Sequence, residues 1–315
     1  MSTTPEGDPG AAPPGWTAAD IPDQVGRTFI VTGGNSGPGF ETSRELARRG
    51  AQVILTARDA EKGAAAVAAI LDEQPDAQVE TRLVDLADLD SVEAFARTVE
   101  QVDVLINNAG VMMPPRAESA QGYESQFAVN HLAHFALTAM LLDVLKQGRD
   151  PRVVTVSSYL HKRGRIHFDD LHGEHNYSRT GYYAQSKLAN VVFGLELHRR
   201  LRANGFAVAS VLAHPGYAAT NLQTTGPTGV TKLALKVSNR ILAQEAAMGA
   251  LPQLYAATNP DVESGQFIGP DGRKEQKGYP KIVWPLEAAR DRELAKRLWD
   301  ISEELCGLSF GLAVR

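Results

Sequence analysis

Residues 28–39 read Thr-Phe-Ile-Val-Thr-Gly-Gly-Asn-Ser-Gly-Pro-Gly, and the reading of the fold starts from them. Thr28–Thr32 is an apolar, β-branched run of the kind that forms a strand. A glycine-rich turn follows. Glu41–Arg49 then carries a helical pattern, with Gly50 at the usual stop position. Glycine permits positive φ and lets backbone approach a ligand closely. The start of the helix offers unpaired N–H groups and a positive dipole end to an anion such as a pyrophosphate. The spacing of Gly33, Gly37 and Gly39 is T-G-x-x-x-G-x-G, which differs from the common G-x-G-x-x-G fingerprint. A tight strand-to-helix turn with no ligand would use the same glycines, so the turn alone leaves both readings open.

Working outward, short β-branched runs alternate with amphipathic stretches. Strands are expected at Val53–Ala57, Val79–Val84, Val102–Asn107, Arg152–Ser157 and Ala207–Leu212. Helices are expected at Ala60–Glu73, Ser91–Glu100, Gln121–Lys146 and Tyr182–Arg202. The strand runs are nearly continuous in apolar residues, as in a parallel sheet covered on both faces. This alternation predicts a single-domain α/β fold, a Rossmann-like doubly wound parallel sheet with helices on both faces. After Leu212 the alternation breaks into helices and loops, with a short strand expected near Gln266–Ile268. Residues 217–280 are expected to form a small substrate lid over the C-terminal ends of the strands. Residues 1–22, rich in Pro, Gly and Ala, are expected to be a flexible tail, with Trp16 and Ile21 as the side chains able to dock on the body, and 23–315 to be one domain.

The 315 residues carry a formal net charge of −5, so no basic footprint points to nucleic acid. Cys306 is the only cysteine, which excludes an internal disulfide and fits a reducing, cytoplasmic setting. No basic and apolar leader opens the chain, and no stretch is expected to be long and apolar enough to span a bilayer.

Further motifs lie in order along the chain: Asn107-Asn108-Ala109-Gly110, Asn130, Ser158, Tyr183-Ala-Gln-Ser-Lys187, and Pro215-Gly216 followed by Thr220. Together with the glycine turn this series resembles the short-chain dehydrogenase/reductase family, over Thr32 to Thr220. The resemblance implies an oxidoreductase that binds a nicotinamide dinucleotide. Its cofactor site would use Gly33, Asn35, Ser36, Gly37, Gly39, Asp85, Leu86, Asn107, Ala109, Gly110, Tyr183, Lys187, Pro215, Gly216 and Thr220. Pro38 departs from the family, which usually has an aliphatic residue there. Proline suits a first helical turn, but it removes one N–H from the phosphate site, a loss of about 1.5–3 kcal/mol for a bond to a charged group.

NAD-binding sheets carry an acid near the end of the second strand. Here Ala57 and Arg58 stand in that region, and a guanidinium can pair with a 2′-phosphate. The cofactor is therefore expected to be NADP(H) before NAD(H), although a solvated surface Arg58 beside Asp59 is the plain alternative. Asp85 would meet the adenine by resemblance, or simply open the next helix.

Tyr183 and Lys187 are four apart and project from one helix face. A phenol with a pKa of about 10 is a poor base near neutrality, and lowering it to about 7 takes about 4 kcal/mol of preferential anion stabilisation. A nearby cation can supply much of this, and Lys187 is the evident one, helped by the oxidised nicotinamide. The resemblance makes Tyr183 the proton donor or acceptor, Ser158 in preference to Ser157 the substrate-oxygen partner, and Lys187 a ligand of the nicotinamide ribose. It also makes Asn130 the fourth member, its backbone holding a water near Lys187. A helix-interior polar group at a local kink is the other reading of Asn130.

Twenty-five residues separate Ser158 from Tyr183, and this long insert resembles the branch of retinol dehydrogenases, the WW-domain oxidoreductase and protochlorophyllide reductase. Retinol dehydrogenases of that branch usually carry a membrane-anchoring N-terminus, which this chain is not expected to have. Its histidines, His161, His167, His172 and His175, match no metal motif and are expected to be solvated loop residues, with His214 a buried structural one. The substrate is expected to be an apolar small-molecule carbonyl or alcohol. The resemblance also implies a possible homodimer or homotetramer through the two long helices. Two other functions remain: a non-catalytic NADP(H)-binding regulator, encouraged only by Pro38, and a sugar-nucleotide epimerase or dehydratase, against which the glycine spacing speaks.

Overall fold

The computed structural model describes residues 15–216 and 246–312. Eight strands form one sheet: β1 (Thr28–Val31), β2 (Gln52–Ala57), β3 (Val79–Leu83), β4 (Val104–Asn107), β5 (Arg152–Val156), β6 (Ala209–Ala213), β7 (Phe267–Pro270) and β8 (Pro280–Ile282). Their order is β3-β2-β1-β4-β5-β6-β7-β8. All neighbours pair in parallel except β7 and β8. The α/β, doubly wound fold expected from the sequence is therefore the fold observed.

The central strands β1, β4 and β5 are buried at every residue, which is why they read as unbroken apolar runs. Alternate residues feed opposite faces. Phe29 and Val31 join Leu46, Ile70 and Leu254 on one side. Ile30 joins Phe95, Phe135 and Leu197 on the other. The first layer holds α1 (Gly37–Arg48), α2 (Ala60–Glu73) and the later α7 (Ala246–Thr258). The second holds α3 (Leu89–Ala96), α5 (Ala133–Leu145) and α6 (Arg179–Ala203).

Four places differ from the expectation. Helix α1 starts at Gly37, because Ser36 occupies the N-cap and Pro38 fits the first turn. The long pattern 121–146 is interrupted: a short α4 (Ser125–Phe127) passes through a π-helical turn, Ala128–Leu132, before α5. Beyond the expected lid, β8 and α8 (Arg292–Cys306) add to the elements expected. Leu294, Leu298, Ile301 and Leu305 signal α8 by helical spacing, with Asp291 capping its start and Gly307 (φ +62°) ending it. Trp299 of α8 packs edge-on against Phe135 of α5 at 5.1 Å and lies near Phe193 of α6, so α8 covers part of the two long helices. Finally, Ser125–Leu145 is long and apolar enough to cross a membrane by length and composition, contrary to expectation. Most of it, 72% of its most apolar stretch, is buried in the body, which identifies it as a core helix.

Trp16 and Ile21 are buried, and Trp16 meets Tyr255 of α7 edge-on at 5.1 Å. Of the expected lid, 217–245 lie outside the described residues, as does Thr220. Helix α7 packs on α1, and its Gln253 donates to the Pro38 carbonyl at 3.3 Å.

Candidate active site

A cleft of about 610 Å³ opens at the C-terminal ends of the strands. It lies where the strand order reverses between β1 and β4, the position at which doubly wound sheets bind ligands. Of the expected residues, Gly33, Asn35, Ser36, Gly37, Arg58, Asp85, Leu86, Ala109, Gly110, Ser158, Tyr183, Lys187, Pro215 and Gly216 line it. Gly39, Asn107 and Asn130 do not.

At one end stands the glycine turn. Gly33 (φ +62°) and Gly37 (φ +55°) adopt the left-handed region that other residues avoid. A side chain at Gly39 would run into the Gly33 carbonyl and the Asn108 amide, so that glycine serves close packing of α1 on the turn. Thr32 Oγ1 accepts from the N–H groups of Asn108 (2.9 Å) and Ala109 (3.0 Å), and Asn108 Nδ2 donates to the Thr32 carbonyl. The glycine turn and the Asn-Asn-Ala-Gly turn are thus one interlocked unit. Asn107 points below it, fully buried, with Nδ2 donating to Thr138 Oγ1 at 3.0 Å.

Past β2, the exposed Arg58 lines the cleft together with Asp59 and Lys62. Asp59 caps α2 by accepting from the Lys62 N–H at 3.1 Å, so part of its charge serves the helix start. Lys62 lies 3.5 Å from the same carboxylate. It is a second cation that no sequence motif marks, and its place four residues after Arg58, one turn into a helix, is the available signal. Asp85 accepts from the Ala87 N–H at 3.0 Å, while the N-cap of α3 is Asp88. Asp85 is therefore a turn residue of the cleft wall rather than the opening of the helix.

The other end is buried. Tyr183 and Lys187 project from α6, at 5% and 3% exposure. Ser158 follows β5 and caps a short 3-10 turn, Tyr159–Arg163, by accepting from the Leu160 N–H. Its hydroxyl lies near enough to Tyr183 to act on the phenol, against the effect of burial. Ser157, its competitor, is committed elsewhere: its Oγ donates to the Lys187 carbonyl at 2.8 Å. Lys187 Nζ donates to the Val156 carbonyl at 3.2 Å. A Cβ on Gly110 would lie 3.0 Å from Asn130 Oδ1 and 3.4 Å from Lys187 Nζ, so the missing side chain keeps that gap open.

Asn130 sits in the π-helical turn, a distortion common at functional sites. Its Oδ1 accepts from the Val111 N–H (2.7 Å), and its Nδ2 donates to the Val111 carbonyl and to Ser186 Oγ. Its backbone carbonyl, expected to face a water, accepts from His134 Nδ1 at 3.1 Å. That leaves His134 Nε2 to accept from Thr32 Oγ1 at 2.9 Å. Burial holds His134 neutral, with its pKa lowered to about 4. His134 thus joins the glycine turn to the Asn130 turn, a role that no motif announces.

Protonation departs from the expectation. Burial pushes Tyr183 up to about 12, and the neighbouring Ser158 only opposes this. The anticipated downward pull of Lys187 does not set the outcome. Its ammonium is 6.0 Å from the Tyr183 ring centre and is itself lowered to about 8 by burial. In this arrangement Tyr183 is a neutral phenol at pH 7.

The insert also differs from its reading. His161 is fully buried, with Nδ1 bonded to the Ser158 carbonyl at 2.7 Å and Nε2 accepting from the Leu286 N–H. His214 is buried as expected. Among the described residues no cluster of metal-ligating side chains is found.

The profile of the family described as short chain dehydrogenase matches residues 27–229. Retinol dehydrogenase 13 of Homo sapiens is 42% identical, over 95% of this chain and 88% of its own length. Polyprenol dehydrogenase of Mus musculus is 38% identical, over 92% of this chain and 87% of its own. Among solved structures, an uncharacterised protein from Mycobacterium paratuberculosis superposes with a TM-score of 0.80 at 44% identity, covering 95% of this chain and all of that one.

Proposed function

This chain belongs to the short chain dehydrogenase family and is an oxidoreductase acting between alcohol and carbonyl, and we propose that it reduces an apolar ketone or aldehyde with NADPH. The observation that carries this reading is the buried, protonated Tyr183, beside Ser158 in the cleft wall and one helical turn from Lys187. NADPH along the cleft would supply the hydride. Ser158 would orient the carbonyl oxygen by donating a hydrogen bond. As the carbon gains the hydride, Tyr183 would give its proton to that oxygen. The phenolate left behind would be met by the Lys187 ammonium, whose lower pKa lets it return a proton to Tyr183. Asn130 would hold the backbone of Val111 at the cleft wall.

Arg58 and Lys62, with Ala57 where an acid would stand, support the phosphorylated cofactor. Val111, Met112, Met113 and Leu160 give the catalytic end an apolar wall. Both relatives are named for apolar alcohols, which agrees with that wall. A panel of apolar ketones and alcohols, followed by NADPH absorbance, tests the reading. Turnover of ketones with NADPH is expected; turnover with NADH alone, or of polar sugars alone, would reject it.

A further inference from the structure

The turn joining β7 to β8 holds two successive non-glycine residues in the left-handed region, Lys274 (φ +56°) and Glu275 (φ +53°). L-residues disfavour this conformation, and a pair of them persists only where contacts hold it. Backbone bonds close the turn on itself, among them Gly272 N–H to the Lys277 carbonyl and Glu275 N–H to the Gly272 carbonyl, both at 2.9 Å, and one carboxylate ties it to the body. Glu275 Oε1 accepts from Lys162 Nζ at 2.6 Å. Glu275 Oε2 accepts from His214 Nε2 at 3.2 Å. His214 Nδ1 in turn accepts from the Gly216 N–H at 3.2 Å, which assigns the ring proton to Nε2.

Each partner belongs to a wall of the cleft. Lys162 lies in the 3-10 turn that Ser158 caps, and Tyr159, Leu160 and Arg163 of this stretch line the cleft. His214 directly precedes Pro215 and Gly216, which line it from β6. Gln276, next to Glu275, lines it too, and its carbonyl sits where a side chain on Gly216 would be. The two walls come from segments far apart in the chain, and Glu275 touches both.

We propose that Glu275 is a positioning residue for the reaction: its carboxylate clamps the turn carrying Ser158 to the strand end carrying Pro215 and Gly216, and so sets the spacing between them. The proposal rests on the oxidoreductase reading of this cleft. Glu275 touches neither the cofactor site at Arg58 nor Tyr183. Its effect therefore falls on kcat, with binding at the adenosine end unchanged.

The test is a double-mutant cycle of Glu275→Gln and Lys162→Met, with Glu275→Gly alongside. Each of Glu275→Gln and Lys162→Met is expected to lower kcat about tenfold, as small misplacements of a reacting group do. The double variant is expected to be no worse than the poorer single one. Glu275→Gly, which relaxes the turn, is expected to lose as much as Glu275→Gln, while 2′,5′-ADP binds all variants as it binds the parent. Additive losses, or parental kcat in Glu275→Gly, would overturn the clamp. Should the parent turn over no ketone or alcohol, the function proposed above fails by itself. The clamp is then judged by amide hydrogen exchange over residues 158–163 and 214–216: faster exchange in both stretches of Glu275→Gln supports it, and unchanged exchange overturns it.

Discussion

The Gly33–Pro38 end of the cleft is open to solvent, with Ser36, Arg58, Asp59 and Lys62 all exposed. At the other end Tyr183 and Lys187 are both buried, and their pKa values are displaced by that burial. The first end suits recognition: fixed charge and backbone geometry, open to water and to salt. The second suits proton transfer, because desolvation there moves a phenol and an ammonium in opposite directions. The two ends of one cleft are thus suited to different tasks, and the proposed division can be attacked from either side.

The largest effect is expected from Tyr183→Phe. Loss of the proton donor should lower kcat by about 10²–10⁴-fold, with NADPH binding by fluorescence nearly intact. Retained turnover would erase the distinction between the two ends.

Lys187 sharpens it through pH. Its folded pKa is lowered from 10.5 to about 8 by burial, so the unfolded chain binds the extra proton in that window. The cost of burying the cation is full below pH 8 and fades as pH rises from about 8 toward 10.5. Urea midpoints of the parent should therefore gain on those of Lys187→Met across this range. A constant difference between the two would show that Lys187 is not a buried cation. Reduction should also slow as pH rises through about 8, because the ammonium is then lost.

The smallest effect belongs to the open end. Arg58→Ala should weaken NADPH binding about tenfold, the scale of one charge-assisted hydrogen bond, and leave NADH nearly unchanged. Lys62→Ala should do the same more weakly, with both losses shrinking in high salt. Equal losses for NADPH and NADH would reject a 2′-phosphate role for either cation.

Much of the molecule is legible in its sequence. The strand runs at 28–32, 53–57 and 152–157 fall within about a residue of β1, β2 and β5 because full burial leaves an unbroken apolar run. The order of Gly33, Asn108, Ser158, Tyr183 and Lys187 names residues that meet in the cleft. Lys62, His134 and Glu275 are not legible in the same way. A lone lysine, histidine or glutamate has no periodic pattern, and its meaning depends on what lies across from it. The break at Asn130 is hidden for a related reason, since a π-turn keeps the apolar composition of the helix it interrupts.

By itself, then, the sequence determined the doubly wound sheet and named a tyrosine, a serine and a lysine that line one cleft, because both are written in local spacing: apolar period, glycine positions, four residues of helix. Tertiary structure alone decided the rest. It made Tyr183 a neutral acid and Lys187 a weakened cation, since desolvation is a property of everything packed around a group. It placed α8 over α5 and α6. And it brought Glu275 to Lys162, 113 residues away in the chain, where the contact that holds the turn depends on the packing of β6, β7 and the Ser158 turn rather than on any neighbour in sequence.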